Sequence, residues 1–344
     1  MSRPFCVLNP GGRDAEQEFP DGAGEPQPRA HAPINYHAYA ACMGGGFYRK
    51  VESVPAETRS ALVLLRKRNL RAALRAISIL RGEGVEIWVS LKESGSHQVA
   101  DFLADVTRVA LLGEVCRAAD GYLSSTQNLE ALYRMEGCAR GAFIPTPYPV
   151  ESAAWDFSVE PGERKGIFVG TREPDVPTRR HVEAVILADR LSRKLEVPVA
   201  VMNDGTRKRG MLLKAIRGDN PYLHIIEGPL PYAMYLRLMA AHRIVWQLDQ
   251  SEVPGQVAGD ALLCRAPCVG GNGAVERIAF PDLCGEARSP EELLAIAERL
   301  LVDDAAYAAA VDASGARARE SLSFGAVRRR IEEVVLGAVP SAGG

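Results

Sequence analysis

Aromatic residues make up only 6% of the chain, and no apolar run approaches the roughly 18 residues needed to span a bilayer. A transmembrane segment is therefore not expected. The N-terminal MSRPFCVLNPGG is broken by Pro and Gly after a brief apolar run, which makes it a poor signal peptide. Net charge is nearly absent at −2, so no global field selects a nucleic acid or a membrane as partner. The seven cysteines are odd in number, scattered and mostly set among apolar residues, which suits reduced core thiols better than a disulfide framework. Cys264 and Cys268, the one close pair, lack two further ligands at a zinc spacing and read as packing residues, so no metal is expected. These absences point to a cytoplasmic protein.

What is present is a globular balance of 47% hydrophobic and 24% charged residues over 344 positions. That length exceeds what one hydrophobic core organises, and two domains of about 150 residues are expected. PFCVLN (4–9) reads as a buried strand followed by a Gly- and Pro-rich loop to Pro33, opening on Gly11 and Gly12. ALVLL (61–65), the helix RNLRAALRAISILRGEG and VEIWVSL (85–91) form a βαβ unit. VADFLADVTRVALLGEVCRAAD then reads as a helix, GYLSST (121–126) as a strand end, NLEALYRMEG as a helix and AFIPTPYPV (142–150) as a strand running into a proline-punctuated linker. Beyond residue 150 the alternation strengthens: GIFVG, VPVAVMND, YLHIIEG, RIVWQLD and PCVGG are strands separated by amphipathic helices, which specifies a doubly wound parallel sheet.

Four ordered stretches carry a family resemblance: IPTPYPV, GIFVGTREP, IIEGPLPYAMYLRLMAAHRIVWQLD and QSEVPGQVAGDALLCRAPCVGGNG. Over residues 142–330 the chain resembles the family-four-like retaining glycosyltransferases of the GT-B fold, also called glycosyl transferases group 1. The resemblance implies an α/β protein with two Rossmann-like, doubly wound parallel-sheet domains facing across a cleft. Residues 1–150 would form the acceptor-side domain and 151–322 the sugar-nucleotide donor domain, while a last helix at 323–337 can pack back on the first. It further implies a UDP- or GDP-sugar as substrate, with no cofactor and retention of anomeric configuration. In the family's donor signature two acids stand eight positions apart, here Glu252 and Asp260. Asp260 replaces the usual Glu and is one methylene shorter. The phosphate loop also departs from the family, reading Gly170, Thr171, Arg172 and then Thr178, Arg179, Arg180.

The chemistry asks the site to neutralise a diphosphate leaving group while the sugar becomes cation-like. Arg172 with Arg179 can supply planar donors to phosphate oxygens, although Arg179 and Arg180 also fit the start of a solvated helix face. Gly255, Gln256 and Val257 open a helix whose N–H groups and positive end can meet phosphate. Asp260 would accept from ribose hydroxyls and Glu252, treated as catalytic, would hold hydroxyls of the transferred sugar; helix N-terminal charge compensation is the plainer role for Glu252. Gly228, Pro229 and Leu230 line the nucleobase pocket by resemblance. His97, after VEIWVSL in a polar loop, is the second catalytic candidate, and His31 and His37 bracket a possible acceptor-side loop; a structural role competes for each.

Between Arg49 and Arg81 stand nine basic and two acidic residues, a concentration at odds with the net charge. Arg68, Arg71 and Arg75 share one helical face, opposite Leu70, Leu74 and Ile77. With Gly11 and Gly12 they mark the acceptor side, and an anionic acceptor follows: hydroxymethylated DNA or another polyanion, a phospholipid-linked group, or an acidic glycan. Aromatics do not cluster near the patch, which weakens the nucleic-acid version. A solvated amphipathic helix is the plainer reading of the arginines. The competing class of function is a non-catalytic or pseudo-glycosyltransferase that binds a nucleotide sugar.

Overall fold

The computed structural model describes residues 5–27, 30–170, 173–203 and 205–337. The chain divides into two compact units, Met1–Ala154 with Ser321–Gly344, and Trp155–Glu320.

In the first unit, strands β1 (Phe5–Leu8), β2 (Gln17–Glu18), β3 (Gly46–Tyr48), β4 (Ser60–Leu65), β5 (Glu86–Leu91), β6 (Gly121–Ser124) and β7 (Gly141–Phe143) form one sheet. Their order is β2-β3-β1-β4-β5-β6-β7. All neighbours are parallel except β2, which pairs antiparallel with β3. The reason for two-sided burial is visible in the strands themselves. Cys6, Leu8, Ala61, Val63 and Leu65 enter one apolar cluster with the helix Leu70–Gly82, whereas Phe5, Val7, Leu62 and Leu64 enter another with Tyr36 and Tyr39. Period-two alternation that is apolar on both faces leaves the strand no solvent side. Val327, Ile331 and Val335 of the helix Phe324–Leu336 complete the second cluster, so the returning C-terminal segment is part of this unit's core.

Three sequence expectations change here. The stretch from Pro10 to Pro33 contains β2, and HAPINYH and CMGGGF are a helix (Asn35–Cys42) and strand β3 instead of an acceptor loop. The single helix expected before β6 is two, Ser96–Leu103 and Val106–Ala118. Asp105 causes the break: its carboxylate accepts the N–H groups of Thr107 and Arg108 at 2.9 and 3.2 Å, capping the second helix where the first would have continued. The strand expected to run into a proline-punctuated linker over 142–150 ends at Phe143, and further along Tyr148 N–H donates to Leu322 O at 2.8 Å.

The second unit holds β8 (Ile167–Val169), β9 (Val199–Asn203), β10 (Leu223–Glu227), β11 (Ile244–Trp246) and β12 (Cys268–Val269) in the order β10-β9-β8-β11-β12, all parallel. Each sheet has one place where successive connections leave in opposite directions, between β1 and β4 in the first unit and between β8 and β11 in the second. Ligands of open parallel sheets collect outside the carboxyl ends of strands at such a switch point. All seven cysteines are buried free thiols. Among the described residues no helix is long and apolar enough to cross a membrane, and no three His, Cys, Asp or Glu side chains converge as a metal site would need.

Candidate functional site

At the switch point of the second unit, the chain leaves β8 through Gly170, whose N–H donates to Trp246 O at 3.0 Å. A Cβ there would stand 2.2 Å from Val257 Cγ1, so glycine is what lets the strand exit approach the helix Gln256–Leu263. Thr171 and Arg172 lie outside the described residues. The short turn Pro177–Arg179 is stitched to the loop after β11: Gln250 N–H donates to Thr178 O, and the Thr178 and Ser251 hydroxyls are 2.8 Å apart. Arg179 sits between the buried Asp249, in a close ion pair, and Glu173 at 2.9 Å. Its charge is what makes the Asp249 carboxylate tolerable in the interior. Arg180 forks onto Glu183 at 2.6 and 2.7 Å at the start of the helix His181–Leu195, the plainer of its two expected roles.

Glu252 adopts φ +52°, a left-handed conformation rare outside glycine. Asn272 Oδ1 accepts its N–H at 2.9 Å, and Arg277 Nη2 donates to its carboxylate at 3.4 Å while Arg277 Nε lies 3.2 Å from Glu286. The Glu252 side chain keeps 38% of its exposure, so the carboxylate is oriented and still reachable. Gly255, at φ +92°, precedes the helix Gln256–Leu263, whose half-buried first residues Gln256 and Val257 present backbone N–H groups with no intrahelical acceptor. Asp260, one turn on, is 1% exposed and accepts the Tyr232 hydroxyl at 2.5 Å. The carboxylate expected to stand open for a ribose is thus buried, with one oxygen engaged. Gly228 turns at φ +83° with its N–H on Asn203 O at 2.8 Å; Pro229 is exposed and Leu230 half-buried, and the helix Tyr232–Ala240 begins two residues later. This turn therefore leads directly to the tyrosine that grips Asp260.

Glu276 went unnoticed in the sequence. It is 2% exposed, accepts Gln247 Nε2 at 2.7 Å, and burial pushes its carboxyl up to about 7, with Asp249 acting in the same sense. Cβ atoms at Gly255, Gly273 and Gly271 would fall 2.2, 2.5 and 2.9 Å from its oxygens. A glycine run ahead of an acid, GGNGAVE, was the available signal: Gly271 and Gly273 from that run, with Gly255 from the preceding turn, make room for one carboxyl.

In the first unit, Asn9-Pro10-Gly11-Gly12 is a tight turn at the end of β1, closed by Gly12 N–H on Asn9 O at 2.9 Å, with Gly11 at φ +69°. A Cβ at Gly12 would lie 2.1 Å from Asn9 Nδ2. Buried Asn69 holds this turn against the end of β4: its Nδ2 donates to Pro10 O at 3.1 Å and Leu64 O at 2.9 Å, and its Oδ1 accepts Arg66 N–H at 2.7 Å. Asn69→Ala is expected to cost about 2 kcal/mol in urea unfolding, because it strands buried carbonyls; a loss under about 0.5 kcal/mol would show the turn to be held otherwise. Arg68, Arg71 and Arg75 are exposed and form no ion pair among the described residues; Arg68 precedes the helix, which starts at Leu70. His97 is the second residue of the helix Ser96–Leu103, half-buried, and so lies on a helical turn instead of in a loop. His31 and His37 are stacked with ring centroids 3.7 Å apart, and His37 lies 3.8 Å from Phe47 on its other face. Burial pushes His37 down to about 4, so it is a neutral packing group. Buried Tyr36, Ser90 and Ser125 hydroxyls converge at the ends of β5 and β6, a cluster that only the fold assembles.

Comparison with solved structures decides the architecture. Anabaena HepE in complex with UDP-glucose aligns at a TM-score of 0.62 and 14% identity, covering 84% of this chain and 81% of its own. The E. coli trehalose-6-phosphate protein bound with UDP-2-fluoro glucose aligns at 0.59 and 13%, over 82% and 74%. A UDP-forming α,α-trehalose-phosphate synthase from Burkholderia xenovorans in complex with glucose-6-phosphate aligns at 0.60 and 16%, over 80% and 72%. The chain has the GT-B fold. No protein-family model matches the sequence and no curated protein matches it, so the GT-B assignment rests on shape and not on sequence kinship. Three of the four sequence motifs fall on the second unit and IPTPYPV lies in the first, and among the described residues Asp260 is a departure with structural weight.

Proposed function

We propose that this protein transfers a glycosyl group from a nucleotide sugar to a hydroxyl acceptor, with retention of configuration and without a metal. The observation that carries the reading is at the β8/β11 switch point. There the N-terminus of the helix Gln256–Leu263 stands beside Gly170 and follows the oriented carboxylate of Glu252. Helix N–H groups can take the diphosphate as charge builds on it, and Glu252 can hold sugar hydroxyls. The similar structures carrying UDP-glucose and UDP-2-fluoro glucose support a UDP-sugar as donor. The unpaired Arg68, Arg71 and Arg75, near the β1/β4 switch point where Gly11 and Gly12 lie, support an anionic acceptor, and the glucose-6-phosphate in the similar synthase favours a sugar phosphate over DNA.

The test is a thermal-shift and turnover panel of UDP-, GDP- and ADP-sugars. One donor should raise the melting temperature, by the equivalent of about 2.7 kcal/mol at a hundredfold excess over Kd, and release nucleoside diphosphate. Glu252→Ala should lower kcat/KM roughly tenfold or more with little change in the melt, since Arg277 keeps its second partner Glu286. If no nucleotide sugar stabilises the protein or is consumed, the proposal fails. Buried Asp260, held by Tyr232, keeps the second reading in view: stabilisation by a donor without turnover in the presence of any acceptor would make this a nucleotide-sugar-binding protein.

A further inference from the structure

The helix Arg207–Arg217 follows β9 and reads RKRGMLLKAIR, with no acidic residue between Gly205 and Gly218. Its buried face is narrow: Gly210 and Leu213 are buried, and Arg209, Ile216 and Arg217 flank them half-buried. At about 100° per residue the opposite arc carries Arg207, Lys208, Met211, Leu212, Lys214 and Ala215, all exposed. Met211 and Ala215 lie on the crest of that arc. Met211 is 62% and Leu212 39% exposed. Arg207 and Lys214 fall on one side of the crest and Lys208 on the other.

The cations are available. Arg207 and Lys208 form no ion pair among the described residues, and Lys214 reaches Glu227 only at 4.0 Å, whereas Arg209, on the flank, is committed to Asp175 at 2.7 Å. A helix that only had to cover its sheet would gain nothing from a methionine in water at its outermost position, with a leucine partly exposed on the flank beyond Lys208. An apolar crest bordered by exposed cations, of which only Lys214 has a distant acidic neighbour, has the chemistry of a bilayer interface: the crest enters the boundary of the acyl chains while the cations meet headgroup phosphates. Nucleic acid would use the cations but not the crest, and the helix has no aromatic residue on which a base could stack.

We propose that this face of the second unit docks on an anionic lipid surface. The docking is reversible and salt-sensitive, because one short helix with three cations supplies it, and it is independent of the donor-site reading.

The experiment uses the full chain and sucrose-loaded vesicles, either of phosphatidylcholine alone or of equimolar phosphatidylcholine and phosphatidylglycerol. The protein should sediment with the second and not with the first, and be released at about 0.5 M salt, where screening acts within a few ångströms. Lys208→Glu with Lys214→Glu should lower partitioning about a hundredfold or more, at an unchanged melting temperature. Met211→Trp adds a reporter for insertion: the native Trp88, Trp155 and Trp246 are all buried, so a blue shift of the new indole on adding anionic vesicles reads the crest alone. Equal sedimentation with both vesicle types, binding undiminished in the double variant, or bound protein whose new indole does not shift would each overturn the proposal. So would a concentration-dependent dimer, seen by sedimentation velocity without lipid and abolished by Met211→Ser, which would assign the crest to a second copy of the chain.

Discussion

Gly255→Ala should cost about 4 kcal/mol of unfolding free energy in urea, whereas Gly228→Ala should cost only about 1 kcal/mol. Both glycines are left-handed, at φ +92° and +83°, so an alanine meets a similar backbone penalty at each. Their surroundings differ. Around Gly228 a Cβ would find nothing within 4 Å, while at Gly255 it would stand 2.2 Å from Glu276 Oε2 and 3.0 Å from Val275 Cβ. Glu276 is enclosed and cannot swing away, so the turn before the helix Gln256–Leu263 must shift instead. On the proposed function that shift also misaims the helix N–H groups, and donor binding should be lost with the stability. Glu276→Ala in the Gly255→Ala background should recover at least about 1 kcal/mol of the loss, a coupling that independent sites would not show. Equal costs at Gly255 and Gly228 would mean that the turn relaxes freely and that contact with Glu276 is not what demands glycine.

Glu276→Gln should leave the protein about as stable as the wild type below pH 4.5 and more stable by about 3 kcal/mol at pH 8 and above. The folded-state pKa, pushed up to about 7 by burial, exceeds the ordinary carboxyl value of 4.5. A group whose folded pKa is raised stabilises the fold fully while protonated, below its unfolded pKa. That contribution is lost as pH climbs through about 7. Glutamine is isosteric and does not titrate, so the difference between two melting series over pH 4 to 9 isolates the carboxyl. Donor affinity should decline over the same interval in the wild type alone, because an ionised Glu276 lies directly beneath the turn that would receive a diphosphate. Parallel stability curves would show that Glu276 ionises in the fold as it does in the unfolded chain.

The second unit was legible because its strands are short, apolar and separated by well-formed amphipathic helices, and because Glu252, Gly255 and Asp260 follow one another within a single turn-helix segment. What that local pattern could not show was the partner of Asp260. Tyr232 approaches from another helix, twenty-eight residues earlier in the chain, through the packing of Tyr232–Ala240 against Gln256–Leu263. Arg179 was legible as a basic residue near a phosphate loop, but its Asp249 partner belongs to the loop after β11 and is brought there by the β8–β11 pairing. The helix Asn35–Cys42 escaped notice for a different reason: every residue from Tyr36 to Cys42 is buried, so it has no polar face from which a helical period could be read. Glu276 was hidden by its chemistry, since an acid beside an arginine in a short helix ordinarily marks a surface.

The return of the helix Phe324–Leu336 to the first unit sets an order of events during synthesis. Trp155–Glu320 is contiguous and can close as soon as it leaves the ribosome, whereas the first unit, begun earlier, lacks Val327, Ile331 and Val335 until the helix Phe324–Leu336 emerges. The segment made first is therefore the one that finishes last, with part of its sheet uncovered meanwhile. Its completion joins residues more than three hundred positions apart, and loop-closure entropy makes so distant a contact costly to form.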